Sequence, residues 1–574
     1  MDCMSEYKKW IESPALNEDE KAELRAIGGD AKEIESRFYG PLEFGTAGLR
    51  GMMKVGLHQM NIHVVRHATQ GFADIIAREG DDAKKKGVAI CMDCRNHSME
   101  FAKAAAGVMA ANGIKVRIFE SLRPTPELSF AVREYGCQAG INITASHNPK
   151  EYNGYKVYWS DGAQLPPQHA DAIAEKLTKI DIFTGVKYMD FDEAVKSGMI
   201  TWLGEECDER FMRRVMAMVN DTKTVAAVAD RFTVVYTPFH GCGYKLVPLA
   251  LRRLGIKNII CVPEQMVIDG NFPTVESPNP ENPEGFYLAI DLAKKNNASF
   301  IVGTDPDSDR VGIMVRNDDG EFVPVTGNQT GALLLDYLIG AKKRAGTMPE
   351  MPAALKTIVS TELVRTIANS NGVSCFDTFT GFKFMAEKIG QFEREHSYNV
   401  IFSFEESYGY MLGNYVRDKD AVTASMLLVE MACWYEARGM TVWDALKALY
   451  EKYGHYSEKT HNLVMPGLDG KEKMDKLMSS LREKPYTDIA GTRVILFKDY
   501  SDGSVTNVAT GEKGEMELSG SNVLRFELDD GTSFIVRPSG TEPKIKVYLL
   551  VHGNTEAECA ERIERYGTFV KTMA

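Results

Sequence analysis

From about residue 44 to the end of the chain, short apolar runs alternate with helix-length amphipathic stretches. The runs at 88–92, 116–119, 140–143, 233–236, 258–262 and 300–302 read as strands, as do 356–360, 400–404, 492–497 and 534–536. Helical patterns such as 98–112 and 245–254 lie between them. Nearly continuous apolar strands separated by helices predict α/β layers on largely parallel sheets. The first 40 residues are charged and helical in character, with Asn17 placed to cap a helix over the acidic run that follows. Residues 188–209 read as a charged, irregular end to a first domain. The stretch 320–327 closes a second, ahead of an apolar helix at 330–339. Residues 452–460 read as a linker to a smaller unit of α+β pattern. These borders divide the chain into 1–205, 206–325, 326–455 and 456–574.

Composition narrows the function classes. At 574 residues, 44% hydrophobic and 26% charged, the chain has the make-up of a globular protein with a large core. A net charge of −13 without a Lys/Arg-rich tract argues against nucleic acid or an anionic membrane as partner. The apolar stretch 421–437 is broken by Glu430, short of the roughly 20 residues a membrane span needs. The first residues, MDCMSEYKKW, lack a secretory pattern, so a cytoplasmic protein is expected. Cys91 and Cys94 have the CxxC spacing, but no second pair completes a zinc site, and the run VAICMDCR reads as a buried strand and its loop.

Four polar motifs each follow an apolar run, where open α/β sheets bind ligands. In TDPDSDR the carboxylates of Asp305, Asp307 and Asp309 alternate, and an extended loop would point them one way as hard ligands for Mg²⁺ or Ca²⁺. Arg310 and Arg316 stand where an EF-hand needs Gly and Glu, so that site is excluded; a solvated acidic turn is the plainer alternative. TASHNPK offers Ser146 as nucleophile or phosphate carrier, or simply as a helix cap, with Lys156 able to reach back to it. No GxSxG elbow surrounds Ser146. EESYGY, with Glu405 and Ser407, suits vicinal sugar hydroxyls or the start of a helix. RPSGTEPK, with Arg537, Ser539, Gly540 and Thr541, has the makings of a phosphate cradle, or of a tight turn, without the P-loop spacing. Gly381 and Lys383 in TGFK and Arg50 in FGTAGLRG are further candidates for meeting anionic groups. Three carboxylates, a divalent cation, a phosphoserine and a phosphosugar together need several cations, and Arg50, Lys156, Arg310, Lys383 and Arg537 supply them.

These loops, in this order, resemble the α-D-phosphohexomutase superfamily, and their wording is most similar to its phosphoglucomutase/phosphopentomutase branch. YNGYKVYWSDGAQ and PNPENPEGF strengthen the likeness. The resemblance implies four domains around a cleft, three related α/β units with mixed sheets and a smaller, mobile α+β domain. It implies that Ser146 carries the catalytic phosphate and that Asp305, Asp307, Asp309 and a Ser146 oxygen hold Mg²⁺. Glu405 and Ser407 would contact sugar hydroxyls, and Arg537, Ser539, Gly540 and Thr541 the phosphate not being transferred. Lys156 is the implied general base or acid, with Arg310, Arg50, His147 and Lys383 as electrostatic support. The implied activity interconverts glucose 1-phosphate and glucose 6-phosphate, with glucose 1,6-bisphosphate as intermediate and activator. A pentose phosphate, mannose phosphate or bisphosphate-forming activity is the alternative. The metal loop departs from many relatives in having Thr304 and Ser308, small residues that displace no ligand. A phosphoserine hydrolase would not need both a sugar loop and a remote phosphate loop, and a non-catalytic sensor would not need Ser146 beside three carboxylates. The expected partner is a small phosphosugar, acted on by a monomer or homodimer.

Overall fold

The computed structural model describes residues 2–45, 48–465, 470–539 and 544–573. It comprises two compact units, Met1–Thr326 with Ser407–Thr441, and Gly327–Glu406 with Val442–Ala574.

The first unit is built on two mixed sheets. One orders its strands Leu49–Met52, Tyr152–Trp159, Ala139–Ile143, Val88–Met92, Val116–Phe119 and Ile200–Leu203. The last four run parallel, Tyr152–Trp159 returns antiparallel to them, and Leu49–Met52 pairs antiparallel with Tyr152–Trp159. Every residue of Val88–Met92 and Ala139–Ile143 is buried, as parallel strands covered on both faces require. The second sheet repeats the plan. Thr233–Thr237 lies parallel to Asn258–Cys261 and Phe300–Thr304, and Val311–Arg316 and Phe322–Val325 then fold back antiparallel. In both sheets a buried parallel strand therefore runs into a polar loop and returns beside itself, which fixes both ends of the loop.

The N-terminal helices Cys3–Glu12, Glu18–Ala26 and Ala31–Phe38 pack Trp10, Leu24 and Phe38 into the first core. Asn17 caps the second of them in a capping box with Glu20, as expected.

The second unit holds a parallel arrangement of Ser374–Thr378, Pro352–Thr357 and Asn399–Glu405. Its other sheet is antiparallel, running from His455–Val464 through Lys544–Gly553, Ser533–Pro538, Leu524–Leu528 and Thr492–Asp499 to two short strands. An aromatic and aliphatic core including Phe526, Phe534, Leu549 and Tyr566 fills it. The α/β class with an antiparallel C-terminal part agrees with the sequence pattern.

Three local expectations need correction. Residues 188–209 are not irregular: they hold the helix Phe191–Lys196, the edge strand Ile200–Leu203 and the start of Glu205–Met216. That strand is only four residues long, buries only its two ends and is set among charged residues. The supposed linker at 452–460 is the end of the helix Val442–Tyr453, a left-handed Gly454, and a ten-residue strand, His455–Val464. Its polar sequence, with only Leu463 fully buried, hid it. The strand placed at 356–360 runs instead over Pro352–Thr357, where small alanines give a weak signal. Among the described residues no helix is long and apolar enough to cross a membrane.

Candidate active site

Ser146 leaves the C-terminal end of Ala139–Ile143 in a left-handed conformation, φ +51°, which costs an L-residue roughly 1–2 kcal/mol. Its N–H donates to Thr144 Oγ1 at 2.8 Å, and its hydroxyl donates to Asp305 Oδ2 at 2.7 Å and lies 3.1 Å from His147 Nδ1. No helix follows it; the chain turns directly into Tyr152–Trp159, so the capping reading fails. Burial first, then the charges of Arg310 and Arg50, hold His147 well below the ordinary imidazole range, leaving a neutral ring beside the serine.

Asp305, Asp307 and Asp309 are buried, and each offers a carboxylate oxygen within 4.8 Å of the others. They converge through a turn rather than an extended loop. Ser308 is left-handed at φ +52°, and Asp305 Oδ1 accepts the N–H groups of Asp309 and Arg310 at 3.1 and 3.0 Å. Asp307 Oδ2 accepts from Lys156 Nζ at 2.8 Å and from Thr125 Oγ1 at 2.9 Å. Lys419 Nζ lies 3.1 Å from Asp309 Oδ2. Asp307 Oδ1 and Asp309 Oδ1 are buried with no hydrogen-bond partner. Buried carboxylate oxygens are not left open without cause, and an all-oxygen set of this kind fits a hard divalent cation. Burial, then the charges of Asp307 and Asp309, push Asp305 well above the usual carboxylate range, so the turn calls for positive charge. Burial alone would lower Lys156, but Asp307 and Asp309 outweigh it and raise its pKa, so it stands as an ammonium.

Lys156 sits on the return strand, in register with Asn142 of the strand that leads to Ser146. It meets the acidic turn at Asp307 and, 3.7 Å away, at Asp309. Arg50, on Leu49–Met52, donates to Asn148 Oδ1 at 3.0 Å, inside the serine loop. Arg310 forms a bridge with Gly409, and Val311 N–H donates to Tyr408 C=O at 3.1 Å, which brings the Ser407 segment over the acidic turn. All of these belong to the first unit.

The remaining candidates gather in the second unit. Glu405 Oε1 accepts the N–H of Gly381 at 2.6 Å, just before Lys383 on the helix Phe382–Glu395. Gly381 takes φ +113°, which the approach of its N–H to that carboxylate uses. Arg537 is the last residue but one of Ser533–Pro538 and, on the adjacent strand, Tyr548 feels its charge together with those of Glu406 and Glu405. Ser539 N–H donates to Lys544 C=O at 2.9 Å. Gly540 and Thr541 lie outside the described residues.

Sequence reasoning missed Thr125 and Lys419. Thr125 opens the helix Thr125–Glu134 and also donates its N–H to Asp307 C=O at 2.8 Å. Lys419 sits beside Asp420, the N-cap of Ala421–Glu436, so RDKD reads as an ordinary helix start. The Cys91 and Cys94 thiols are free, and burial pushes both well above their ordinary range, in keeping with inert packing.

Models of phosphoglucomutase/phosphomannomutase alpha/beta/alpha domains I, II and III match residues 41–182, 209–320 and 326–453, and the model of the C-terminal domain matches 495–565. A phosphoglucomutase of Staphylococcus saprophyticus is 35% identical over 534 residues, covering 93% of this chain and 94% of its own. Among solved structures, the open form of parafusin, a phosphoglucomutase from Paramecium, superposes with a TM-score of 0.67 at 19% identity, over 94% of this chain and 96% of that one. A phosphoglucomutase/phosphomannomutase family protein from Burkholderia thailandensis does so at 0.63 and 18%, over 92% and 97%.

Proposed function

The chain belongs to the phosphoglucomutase/phosphomannomutase family, and from that premise we propose that it is a phosphoglucomutase working through a phosphoserine at Ser146. It interconverts glucose 1-phosphate and glucose 6-phosphate, with glucose 1,6-bisphosphate bound between the two transfers. The observation that carries this reading is the Ser146 hydroxyl, 2.7 Å from an aspartate of a buried acidic turn that keeps two carboxylate oxygens open.

Asp305, Asp307, Asp309 and an oxygen on Ser146 would hold Mg²⁺, which when bound would neutralise charge on the transferring phosphoryl group. In the first half-reaction the bond from phosphorus to Ser146 Oγ breaks as one to the sugar O6 forms. Lys156, an ammonium in this structure, would hand a proton to the leaving Ser146 Oγ and regain one from O6, so that Ser146 recovers its hydroxyl and the O6 proton is taken up. After the bisphosphate turns over, its 1-phosphoryl returns to Ser146 and O1 takes a proton. Lys156 is the group for those protons and for developing charge, supported by Arg50, Arg310 and neutral His147. Glu405 and Ser407 recognise the sugar hydroxyls. Arg537, Ser539, Gly540, Thr541, Gly381 and Lys383 serve the phosphate not in transfer.

We divide the chain into domains 1–205, 206–325, 326–455 and 456–574, and place the enzyme in the cytoplasm. The test is a comparison of initial rates on glucose, mannose and ribose 1-phosphates with Mg²⁺ and trace glucose 1,6-bisphosphate. An EDTA-sensitive preference for glucose 1-phosphate is expected. Preference for ribose or mannose would overturn the substrate, and release of inorganic phosphate without isomer would overturn the mutase.

A further inference from the structure

Arg95 follows the Cys91–Cys94 pair and belongs to none of the four motifs, yet its whole side chain is directed at one of them. The side chain is fully buried. Nη1 donates to the carbonyl oxygens of Pro149 at 2.8 Å and Tyr152 at 2.9 Å, and Nη2 to those of Ser146 and Asn148. Nε faces Asp93 Oδ2 at 3.4 Å, and the Phe272 ring covers the guanidinium with its centroid 5.2 Å away. Asp93 is itself held in place, its Oδ1 accepting from Arg95 N–H and Ser98 Oγ, both at 2.9 Å.

Buried arginines ordinarily direct their forked donors at carboxylates or phosphates. Arg95 directs four hydrogen bonds at the backbone of one seven-residue stretch, 146–152. The consequence for Ser146 is specific. Its N–H, in the peptide plane before Cα, is held by Thr144 Oγ1; its C=O, in the plane after Cα, is held by Arg95. Fixing both planes fixes φ and ψ of a serine in the left-handed region, and with them the direction of Cβ and the hydroxyl toward Asp305. A lysine head, with three donors on a point charge, cannot span four carbonyl oxygens in this way.

We propose that Arg95 is a positioning residue for phosphoryl transfer: by gripping the carbonyl oxygens of the serine loop it sets the backbone of Ser146 so that its hydroxyl meets the acidic turn. This rests on the reading of Ser146 as phosphoryl carrier.

The experiment compares wild type with Arg95→Met and Arg95→Lys, measuring kcat and KM for glucose 1-phosphate and amide hydrogen exchange. The expected result is a kcat lowered roughly 100-fold in Arg95→Met and roughly 10-fold in Arg95→Lys, with KM within about threefold. Exchange rises in 144–152 while the neighbouring strands stay protected. Should Arg95→Met fail to fold, Arg95→Lys decides alone. A kcat within about threefold of wild type in the folded variants, or exchange rising across the whole first sheet, would overturn the proposal. Ser146→Ala separates the two claims: activity in that variant sinks the phosphoserine itself, whereas an inactive Ser146→Ala beside fully active Arg95 variants sinks only the role of Arg95.

Discussion

At the scale of single residues, the site works because the buried polar atoms near Ser146 are matched to chemistry rather than to stability. Ser146 sits in a strained conformation, and two carboxylate oxygens of the acidic turn, Asp307 Oδ1 and Asp309 Oδ1, accept no hydrogen bond. Replacing Ser146 with Ala should lower kcat by roughly 10³-fold or more while leaving the fold intact, as turnover and circular dichroism would show. Thr125→Val removes the hydroxyl that donates to Asp307 Oδ2 without touching the open oxygens. It should raise the Mg²⁺ concentration needed for half-maximal activity by about 10- to 100-fold, read from activity against Mg²⁺ concentration. An unchanged Mg²⁺ dependence would remove Thr125 from the account. The three aspartates were legible in the sequence because ligands close in space are also close in the chain. Thr125 was not, because its contact with Asp307 spans 182 positions.

At the scale of elements, the repeated unit is a buried parallel strand, a polar loop and an antiparallel return. The sequence displayed the strands ending in Ile143 and Thr304, since strands covered on both faces are apolar throughout. It concealed Ile200–Leu203, four residues with an exposed centre, and His455–Val464, whose polar residues are mostly only partly buried. The helix Thr125–Glu134 carries a further consequence. Burial first, and then the charge of Asp208, push Glu127 well above the ordinary carboxylate range. The folded protein therefore retains a proton that the unfolded chain releases near pH 4.5, and stability falls as pH rises from there toward the folded pKa. Glu127→Gln removes that titration. Its melting temperature relative to wild type should climb between pH 5 and pH 8; a constant difference would contradict a raised Glu127 pKa.

At the scale of the whole molecule, the second unit buries an ionic cluster where its two sheets meet. Arg525 donates to Ile358 C=O at 3.3 Å and pairs with Glu362 at 3.2 Å and Glu527 at 2.8 Å. Lys356, fully buried, pairs with Glu362 and Asp377, both at 3.0 Å. Around them Ile358, Val359 and Phe379 pack against Tyr500, Ile535 and Tyr548, joining the parallel and antiparallel sheets of that unit. Arg525→Met removes a cation shared by Glu362 and Glu527, which keep Lys356 and Lys498 as partners, so it should cost roughly 1.5–3 kcal/mol in urea unfolding. A loss below about 1 kcal/mol would mean the apolar packing alone carries the junction. None of this was visible in the sequence, because Arg525 meets Glu362 across 163 positions and each charge taken singly looks like surface.

The most direct test of the central claim is transfer of label to Ser146. Enzyme mixed with glucose 1,6-bisphosphate carrying ³²P, quenched in acid and mapped by peptide, should hold the label on the peptide containing Ser146. Unlabelled glucose 1-phosphate should then chase it into glucose 6-phosphate. Label found on another residue, or an enzyme that turns over glucose 1-phosphate without ever carrying label, would contradict the account.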